Sequence, residues 1–217
     1  MAKAKTNSRK LQQRSIDTRA SIKAAGAELF ATRGYRATGV RDIADLAECN
    51  QALVSYHFKG KGGLYDEILS DAVAEAQQLA RAADLAGSEY PERELVRILS
   101  RAIASQDHLA PMILREQLDP ERLLNPDTAN TLRSFMALTE GVLDALPLDA
   151  EARAWDPQIV HLAIVGPLIH FTVARRMRES VAASLDQLTS TPDLNAFTDT
   201  LAAMLSRALR QAGPASH

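Results

Sequence analysis

The sequence lacks the features of secreted and membrane proteins. Its 217 residues include one cysteine, Cys49, so an intramolecular disulfide is excluded and a reducing compartment is indicated. No run approaches the ~20 apolar residues of a membrane-spanning helix, and residues 1–14 lack the apolar segment of a signal peptide. We therefore expect a cytoplasmic protein that has no membrane partner.

Motifs of catalysis are absent as well. The sequence contains no nucleophile elbow, P-loop, dinucleotide-binding fingerprint or zinc-ligand spacing. Its five histidines are scattered, and the nine residues from His161 to His170 correspond to about 900° of helix, which places the two on opposite faces. They cannot share a metal ion. We expect no cofactor, no bound metal and no enzymatic activity, and we keep an all-helical enzyme as an alternative.

Strand patterns of useful length are absent too, and apolar residues instead recur at three- and four-residue spacings. With 46% hydrophobic and 24% charged residues, the composition is that of a globular protein with one large or two small cores. An all-α fold is therefore predicted. Apart from the motif described below, helices are expected over about residues 17–33, 61–86, 93–103, 112–118, 126–146, 157–180 (with a bend at Pro167) and 193–212.

Charge is distributed unevenly along the chain. Residues 1–63 carry 12 basic and five acidic side chains, a net charge of +7, whereas residues 64–217 carry 13 basic and 22 acidic side chains, a net charge of −9. A basic head on an acidic body is expected where one end contacts a polyanion. Residues 1–14 are basic without helical periodicity, so we expect a disordered arm that follows the polyanion when the head docks.

Residues 38–64 have the pattern of two short helices joined by a tight turn. In the first helix, Val40, Ile43 and Ala44 share an apolar face, which is typical of a buried support helix. The second has room for about two turns before Phe58, and its outer surface carries hydrogen-bonding side chains of modest size. Such a helix suits the major groove of DNA, where it offers donors and acceptors to base edges and phosphates.

This stretch resembles the helix-turn-helix of TetR-family transcriptional regulators. The resemblance covers residues 15–65 in detail and lies in Arg41-Asp42-Ile43-Ala44, Tyr56-His57-Phe58, Lys61 and Leu64. A looser similarity connects the chain with a subgroup whose patterns are N-x-A-x-x-x-Y-H-F and L-R-E-x-x-x-P, here Asn50 to Phe58 and Leu114-Arg115-Glu116 to Pro120. The resemblance implies a DNA-binding domain at residues 15–63 and a regulatory domain for ligand binding and dimerisation at residues 64–217.

Five positions depart from the family pattern. Glu48 stands in the turn where the family usually has glycine, so we expect an altered or mildly strained backbone there. Gly39 replaces a frequent capping threonine, Ser55 replaces a frequent tyrosine, and Gly62-Gly63 replace an acidic and a small residue. For these reasons, no operator preference can be transferred from a relative.

The motif contains the expected DNA contacts. Gln51 and Arg41 are predicted to read bases, because their side chains can pair with adenine and guanine edges. The remaining residues are expected to position the head on the phosphate backbone, and the full predicted set is Thr38, Arg41, Gln51, Ala52, Ser55, Tyr56, His57, Lys59 and Lys61.

The regulatory domain contains the expected ligand and dimer sites. A mainly apolar cavity with a few polar groups is predicted, lined by Met112, Arg115, Phe135, Met136, Thr139, His161, Val165, His170 and Phe171. For each of these, an ordinary core or ion-pair role is the simpler alternative. The last two helices are expected to form the dimer interface, with Leu194, Phe197, Leu201, Leu205 and Ala208 as its residues.

By this resemblance, the protein is expected to be a homodimeric, ligand-responsive regulator. It would repress by binding a pseudo-palindromic operator on double-stranded DNA, and a small hydrophobic or amphipathic inducer would release it. A sequence-tolerant architectural DNA-binding protein is the alternative from another class.

Overall fold

A computed structural model of the protein describes residues 2–118, 126–148, 150–184 and 192–211. These residues form helices and no strand, which confirms the all-α prediction. None of the described helices is long and apolar enough to span a membrane. The helices are α1 (Ala2–Arg33), α2 (Val40–Leu46), α3 (Gln51–Phe58), α4 (Lys61–Ala82), α5 (Pro91–Ala104), α6 (Leu109–Gln117), α7 (Pro126–Ala145), α8 (Ala150–Arg153), α9 (Pro157–Val173), α10 (Arg175–Ser184) and α11 (Leu194–Gln211).

The chain divides into two compact units. The head unit comprises Met1–Ser70 and Pro111–Leu123, and the body unit comprises Asp71–Ala110 and Leu124–His217. This division differs from the boundary expected between residues 63 and 64. The difference arises because Leu64, Tyr65 and Ile68, in the first turns of α4, are at most 1% exposed and complete the core of the head.

The first helix also differs from its prediction. It begins at Ala2, so residues 2–14, which were expected to form a disordered arm, extend α1. Alanine, lysine, glutamine and arginine dominate this stretch, and all four are strong helix formers. Further along, Gln13 Nε2 donates to Asp17 Oδ1 across one helical turn at 2.8 Å.

Two prolines are accommodated inside helices. Pro111 lies in the first turn of α6, where a missing N–H is tolerated, so this helix begins before the residue at which a break was predicted. Pro167 lies within α9, which continues past it to Val173 and has Ala174 as its C-cap. Arg178 Nη1 donates to the carbonyl O of Phe171 at 2.5 Å and thereby satisfies an acceptor in the last turn of α9.

The head unit has an aromatic core. Phe30, Tyr35 and Tyr65 pack on one another with ring centroids 5.2 to 5.7 Å apart. The corner between α3 and α4 brings Gly63 so close to Phe58 that an added Cβ would lie 2.0 Å from its carbonyl O. Only glycine fits there, which explains one of the departures from the family pattern.

Helix α5 lies at the centre of the body unit and packs against α7, α9 and α11. Its apolar side is fully buried, and Ser100 Oγ lies 2.7 Å from Thr198 Oγ1 of α11. At the start of α5, the buried Glu92 carboxylate accepts hydrogen bonds from Ser206 Oγ (2.6 Å) and Arg210 Nε (2.8 Å). Burial raises the pKa of Glu92, but these hydrogen bonds outweigh it and hold the pKa below its usual value.

Candidate nucleic-acid interface and ligand site

Lys61 ties the loop before α2 to the start of α4. Its Nζ donates to the carbonyl O atoms of Tyr35 (2.9 Å) and Thr38 (2.8 Å), and it lies 4.1 Å from the centroid of the Tyr35 ring. Thr38 is 1% exposed, and its Oγ1 donates to the carbonyl O of Gly34 at 2.7 Å. Both residues were predicted to contact phosphate. The structure instead directs their polar atoms into the head, where they hold α2 in place.

This scaffolding role makes a prediction about stability. Lys61→Met should lower the free energy of unfolding by about 1.5–3 kcal/mol, because it removes two charge-assisted hydrogen bonds that hold the loop before α2. Chemical denaturation followed by circular dichroism measures this value. Lys59→Met, which changes an exposed lysine at the end of α3, is the matched control and should shift stability little. Equal stability of the Lys61 variant and wild type would show that the ties are dispensable.

Arg41 is presented outward by α2. Gly39 precedes the helix, and the Asp42 Oδ2 accepts a hydrogen bond from the Gly39 N–H at 2.7 Å. The side chain of Arg41 is 87% exposed, and its Nε lies 3.7 Å from Asp45 Oδ2. An exposed ion pair of this kind contributes little to stability, so Arg41 can exchange its carboxylate for a phosphate or a base.

The turn between α2 and α3 contains a left-handed residue. Glu48 adopts φ 52°, a value that non-glycine residues rarely have, and the Cys49 N–H donates to the carbonyl O of Ala44 at 2.9 Å. Cys49 is half-buried, and burial raises the pKa of its thiol. The thiol is therefore protonated at neutral pH, which fits a packing role better than a redox role.

Glycine at position 48 should relieve the turn. A left-handed conformation costs a non-glycine residue about 1–2 kcal/mol, and the greater unfolded-state entropy of glycine offsets about half of that. We expect Glu48→Gly to raise the free energy of unfolding by up to about 1 kcal/mol. Glu48→Ala, which keeps the steric cost and removes the charge, should not. Comparison of the two denaturation curves separates backbone strain from electrostatics.

Helix α3 presents a polar stripe. The side chain of Asn50 caps it by accepting a hydrogen bond from the Ala52 N–H at 2.8 Å, while Val54 and Phe58 anchor it in the core. Five predicted contacts are exposed at helical spacing along the other side: Gln51, Ala52, Ser55, Tyr56 and Lys59. The predicted contact His57 is half-buried, with its ring centroid 5.0 Å from that of Tyr56.

Part of the predicted ligand wall comes together in the body unit. Thr139 Oγ1 lies 2.8 Å from His161 Nδ1, and the ring of Phe135 meets that of His161 edge-on with centroids 5.6 Å apart. Thr139 is fully buried and His161 is 8% exposed. Burial lowers the pKa of His161, so its imidazole is neutral at neutral pH. Two more residues of the predicted ligand wall lie in the body unit: Val165 is buried and Met136 is half-buried.

Four other predicted ligand residues lie elsewhere. Met112 and Arg115 belong to the head unit, where Arg115 Nε donates to the carbonyl O of Ala31 at 2.7 Å. His170 is exposed on α9. Both faces of the Phe171 ring are covered, by the Phe197 ring at 4.2 Å and by the Arg178 guanidinium at 3.6 Å. The nine residues therefore do not form one cluster within either unit.

The predicted dimer residues lie on α11. Leu194, Phe197, Leu201 and Leu205 are half-buried, and Ala208 is exposed. Sequence reasoning missed three more exposed side chains: Ile159 (66%), Leu162 (55%) and Met204 (65%). The apolar composition of α9 on all sides indicated burial on several sides and a part in the dimer interface, but it did not single out these residues.

Comparisons with known proteins agree with this geometry. The family model described as "Bacterial regulatory proteins, tetR family" matches residues 22–68. The probable HTH-type transcriptional regulator YttP of Bacillus subtilis (strain 168) is 27% identical over 127 residues, which make up 50% of this chain and 61% of YttP. The HTH-type transcriptional repressor KstR2 of Rhodococcus jostii (strain RHA1) is 54% identical over 43 residues, 20% of this chain and 21% of KstR2. The matches thus span less than two thirds of either relative.

A solved structure extends the likeness to most of the fold. The transcriptional regulator FadR from Bacillus subtilis, in complex with stearoyl-CoA, matches with a TM-score of 0.62 at 16% identity, over 86% of this chain and 97% of that chain. The fold and the exposed face of α3 define an all-α protein with a helix-turn-helix head. The head of this protein, at residues 22–68, matches the TetR family of bacterial regulatory proteins.

Proposed function

We propose that this protein is a homodimeric transcriptional repressor that binds a pseudo-palindromic operator and is released by a small hydrophobic or amphipathic effector. The observation that carries the proposal is the polar stripe of α3. The stripe is exposed to solvent, while Asn50 caps the helix and Val54 and Phe58 fix it in the core of the head. Two such helices, about 34–36 Å apart or a multiple of this, would enter major grooves on one side of the duplex.

Selection of bound sequences from random DNA tests this proposal. A repressor should enrich an inverted repeat and should bind it about 10³-fold or more tighter than random DNA at one stated salt concentration. An architectural protein would bind both alike. The net charge of −9 on residues 64–217 favours the repressor, since a protein that coats DNA gains nothing from a large acidic body.

Base readout is expected at Gln51. Its amide is exposed and can pair bidentately with an adenine edge, so Gln51→Ala should cost about 1–3 kcal/mol on the selected operator and relax preference at one base pair. Binding titrations on operators changed at single positions measure this. Asn130→Ala, which removes an exposed amide in the body unit, serves as the control. An equal loss on every sequence would reassign Gln51 to a phosphate contact.

The effector is proposed to bind in the body unit, at the cluster of Phe135, Thr139 and His161. A neutral imidazole beside a hydroxyl and an aromatic ring suits an amphipathic ligand whose polar group needs a hydrogen bond. Because the structural relative FadR holds stearoyl-CoA, long-chain acyl-CoA compounds belong in the first screen. Release of operator DNA is the readout, and His161→Phe should abolish the response without affecting DNA binding.

The two activities are proposed to be coupled through α4. This helix contributes side chains to the cores of both units, since Ile68 and Leu69 are buried on one side of the boundary and Ala72 and Ala76 on the other. A ligand that displaces α4 would change the separation of the recognition helices. Effector and operator would then oppose each other with a coupling free energy of about 1–3 kcal/mol.

A further inference from the structure

The head unit contains a cavity that the proposed function does not use. It has a volume of about 220 Å³ and lies beside the C-terminal end of α1, bordered by residues 34–37, by Tyr65 of α4 and by the head-unit part of α6. All of its lining residues belong to the head unit, so the site is complete within one compact unit. The Thr139–His161 cluster, in contrast, is part of the body unit.

Aromatic rings form a rigid floor. Phe30, Tyr35 and Tyr65 pack on one another, and Lys61 lies over the Tyr35 ring while holding the adjacent loop by two hydrogen bonds. Gly34, with φ 82°, turns the chain at the edge of this floor, and an added Cβ there would approach Arg115 Cδ to 4.0 Å. The floor is therefore preformed, which reduces the entropy that a ligand must overcome.

Met112 and Leu118 form an apolar wall of the cavity on the side of α6. Met112 is 1% exposed, and its flexible thioether side chain adapts readily to ligands of different shape. Leu118 is 75% exposed although it borders the same cavity. A ligand with an apolar body would bury surface of Leu118 that otherwise contacts water.

The rim is cationic. The described lining residues include three arginines, Arg33, Arg36 and Arg115, and no acidic side chain. Arg115 is oriented by the hydrogen bond from its Nε to Ala31, which uses one of the five guanidinium donors. Arg33 Nη1 lies 3.8 Å from Asp42 Oδ1, and this exposed, long ion pair can be replaced by an incoming anion at small cost.

From this combination we infer that the cavity binds a small organic carboxylate with an aromatic or short apolar body. The ring would lie against the aromatic floor and Met112, and the carboxylate would pair with the arginines, whose planar donors match it bidentately. The volume corresponds to about seven water molecules, so a ligand of roughly ten heavy atoms is accommodated. This is a second ligand site, separate in chemistry and position from the proposed effector site.

Benzoate is a suitable probe for the full-length protein. The chain has five methionines, of which Met112 alone lines the cavity, so ¹³C-methyl labelling of methionine gives a local reporter. On titration with benzoate, the Met112 resonance, assigned by Met112→Leu, should shift saturably while the other assigned methionines do not. Benzyl alcohol, which lacks the charge, and inorganic phosphate, which lacks the ring, should each bind about tenfold more weakly or worse.

Arginine variants make the test specific. Arg115→Gln and Arg36→Gln should each weaken benzoate binding about tenfold, whereas Arg101→Gln, which changes an exposed arginine of the body unit, should not. Arg115→Gln also removes the hydrogen bond to the Ala31 carbonyl and could disturb the fold of the head. Arg36→Gln does not involve that bond, so it tests the arginine contribution independently. An unshifted Met112 signal at millimolar benzoate, or phosphate binding as tight as benzoate, would overturn the assignment. No DNA is present, so either result leaves the proposed repressor function untouched.

Discussion

An Ile159→Glu/Leu162→Glu double variant is expected to be a folded monomer whose affinity for the palindromic operator is reduced by about 10²–10⁴-fold. The two side chains are 66% and 55% exposed on α9, where such large apolar groups are costly to leave in water. Loss of the second half-site removes the gain in effective concentration that a bivalent binder has, and the expected reduction is the size of that gain.

The exposed surface of α9 has the spacing of a packed helix. Ile159, Leu162, Gly166, His170 and Val173 are all exposed and follow one another at intervals of three or four residues, and Ala163 is exposed beside Leu162. Small residues in the middle of this stripe allow the backbone of another helix to approach closely. Helix α11 packs beside α9 and exposes Met204, so we expect the two helices together to offer one apolar face to a second copy of the chain.

Sedimentation equilibrium of the double variant measures its mass, and circular dichroism verifies that it is folded. Leu132→Glu provides the matched control, because Leu132 is 46% exposed on α7 of the same unit and outside the stripe. Met204→Glu tests the contribution of α11 independently. A dimer of unchanged mass in both variants would place the interface elsewhere, whereas a folded monomer from either variant supports it.

The helix-turn-helix was accessible from the sequence because its determinants are local. Apolar spacing placed α2 and α3, Asn50 caps α3, and the departure at Glu48 appears as a left-handed residue. Exposure of Gln51 and Tyr56 follows from the same periodicity. The extension of α1 to Ala2 was missed because an amphipathic pattern was required, although the helix propensity of its residues was high.

Roles that depend on distant partners could not be inferred in the same way. Lys61 looked like a phosphate ligand, but its position over Tyr35 is set by how α4 meets the loop 26 residues earlier. Arg115 and Met112 looked like regulatory-domain residues because α6 follows α5 in sequence, yet they pack in the head. On α9, apolar residues on every side do not reveal whether the same chain or a second copy covers them.

The other large effect is expected at Glu92, where Glu92→Gln should lower the free energy of unfolding by about 3 kcal/mol at pH 7. This is the low end of the range for breaking a buried ion pair, because the side chain of Arg210 is 38% exposed and can turn to water, whereas that of Glu92 is 1% exposed. The amide cannot reproduce the two contacts with Arg210 Nε and Nη2 (2.8 and 3.2 Å) as a charged acceptor. The pair connects the start of α5 to the last turns of α11, so its loss should loosen both ends of that packing.

Acid should erase the difference between the variant and wild type. Because the folded-state pKa of Glu92 lies below its ordinary value of 4.5, its contribution is complete above that value and is lost as the pH falls through the folded-state pKa. Urea denaturation at one protomer concentration, repeated from pH 7 to below pH 4, follows this loss. Glu89→Gln is the matched control, since Glu89 accepts from Arg210 through its backbone carbonyl and should keep wild-type stability throughout. A Glu92→Gln deficit that stays constant down to the lowest pH would mean that its cause is altered packing, because the loss of a carboxylate charge must disappear once wild-type Glu92 is protonated.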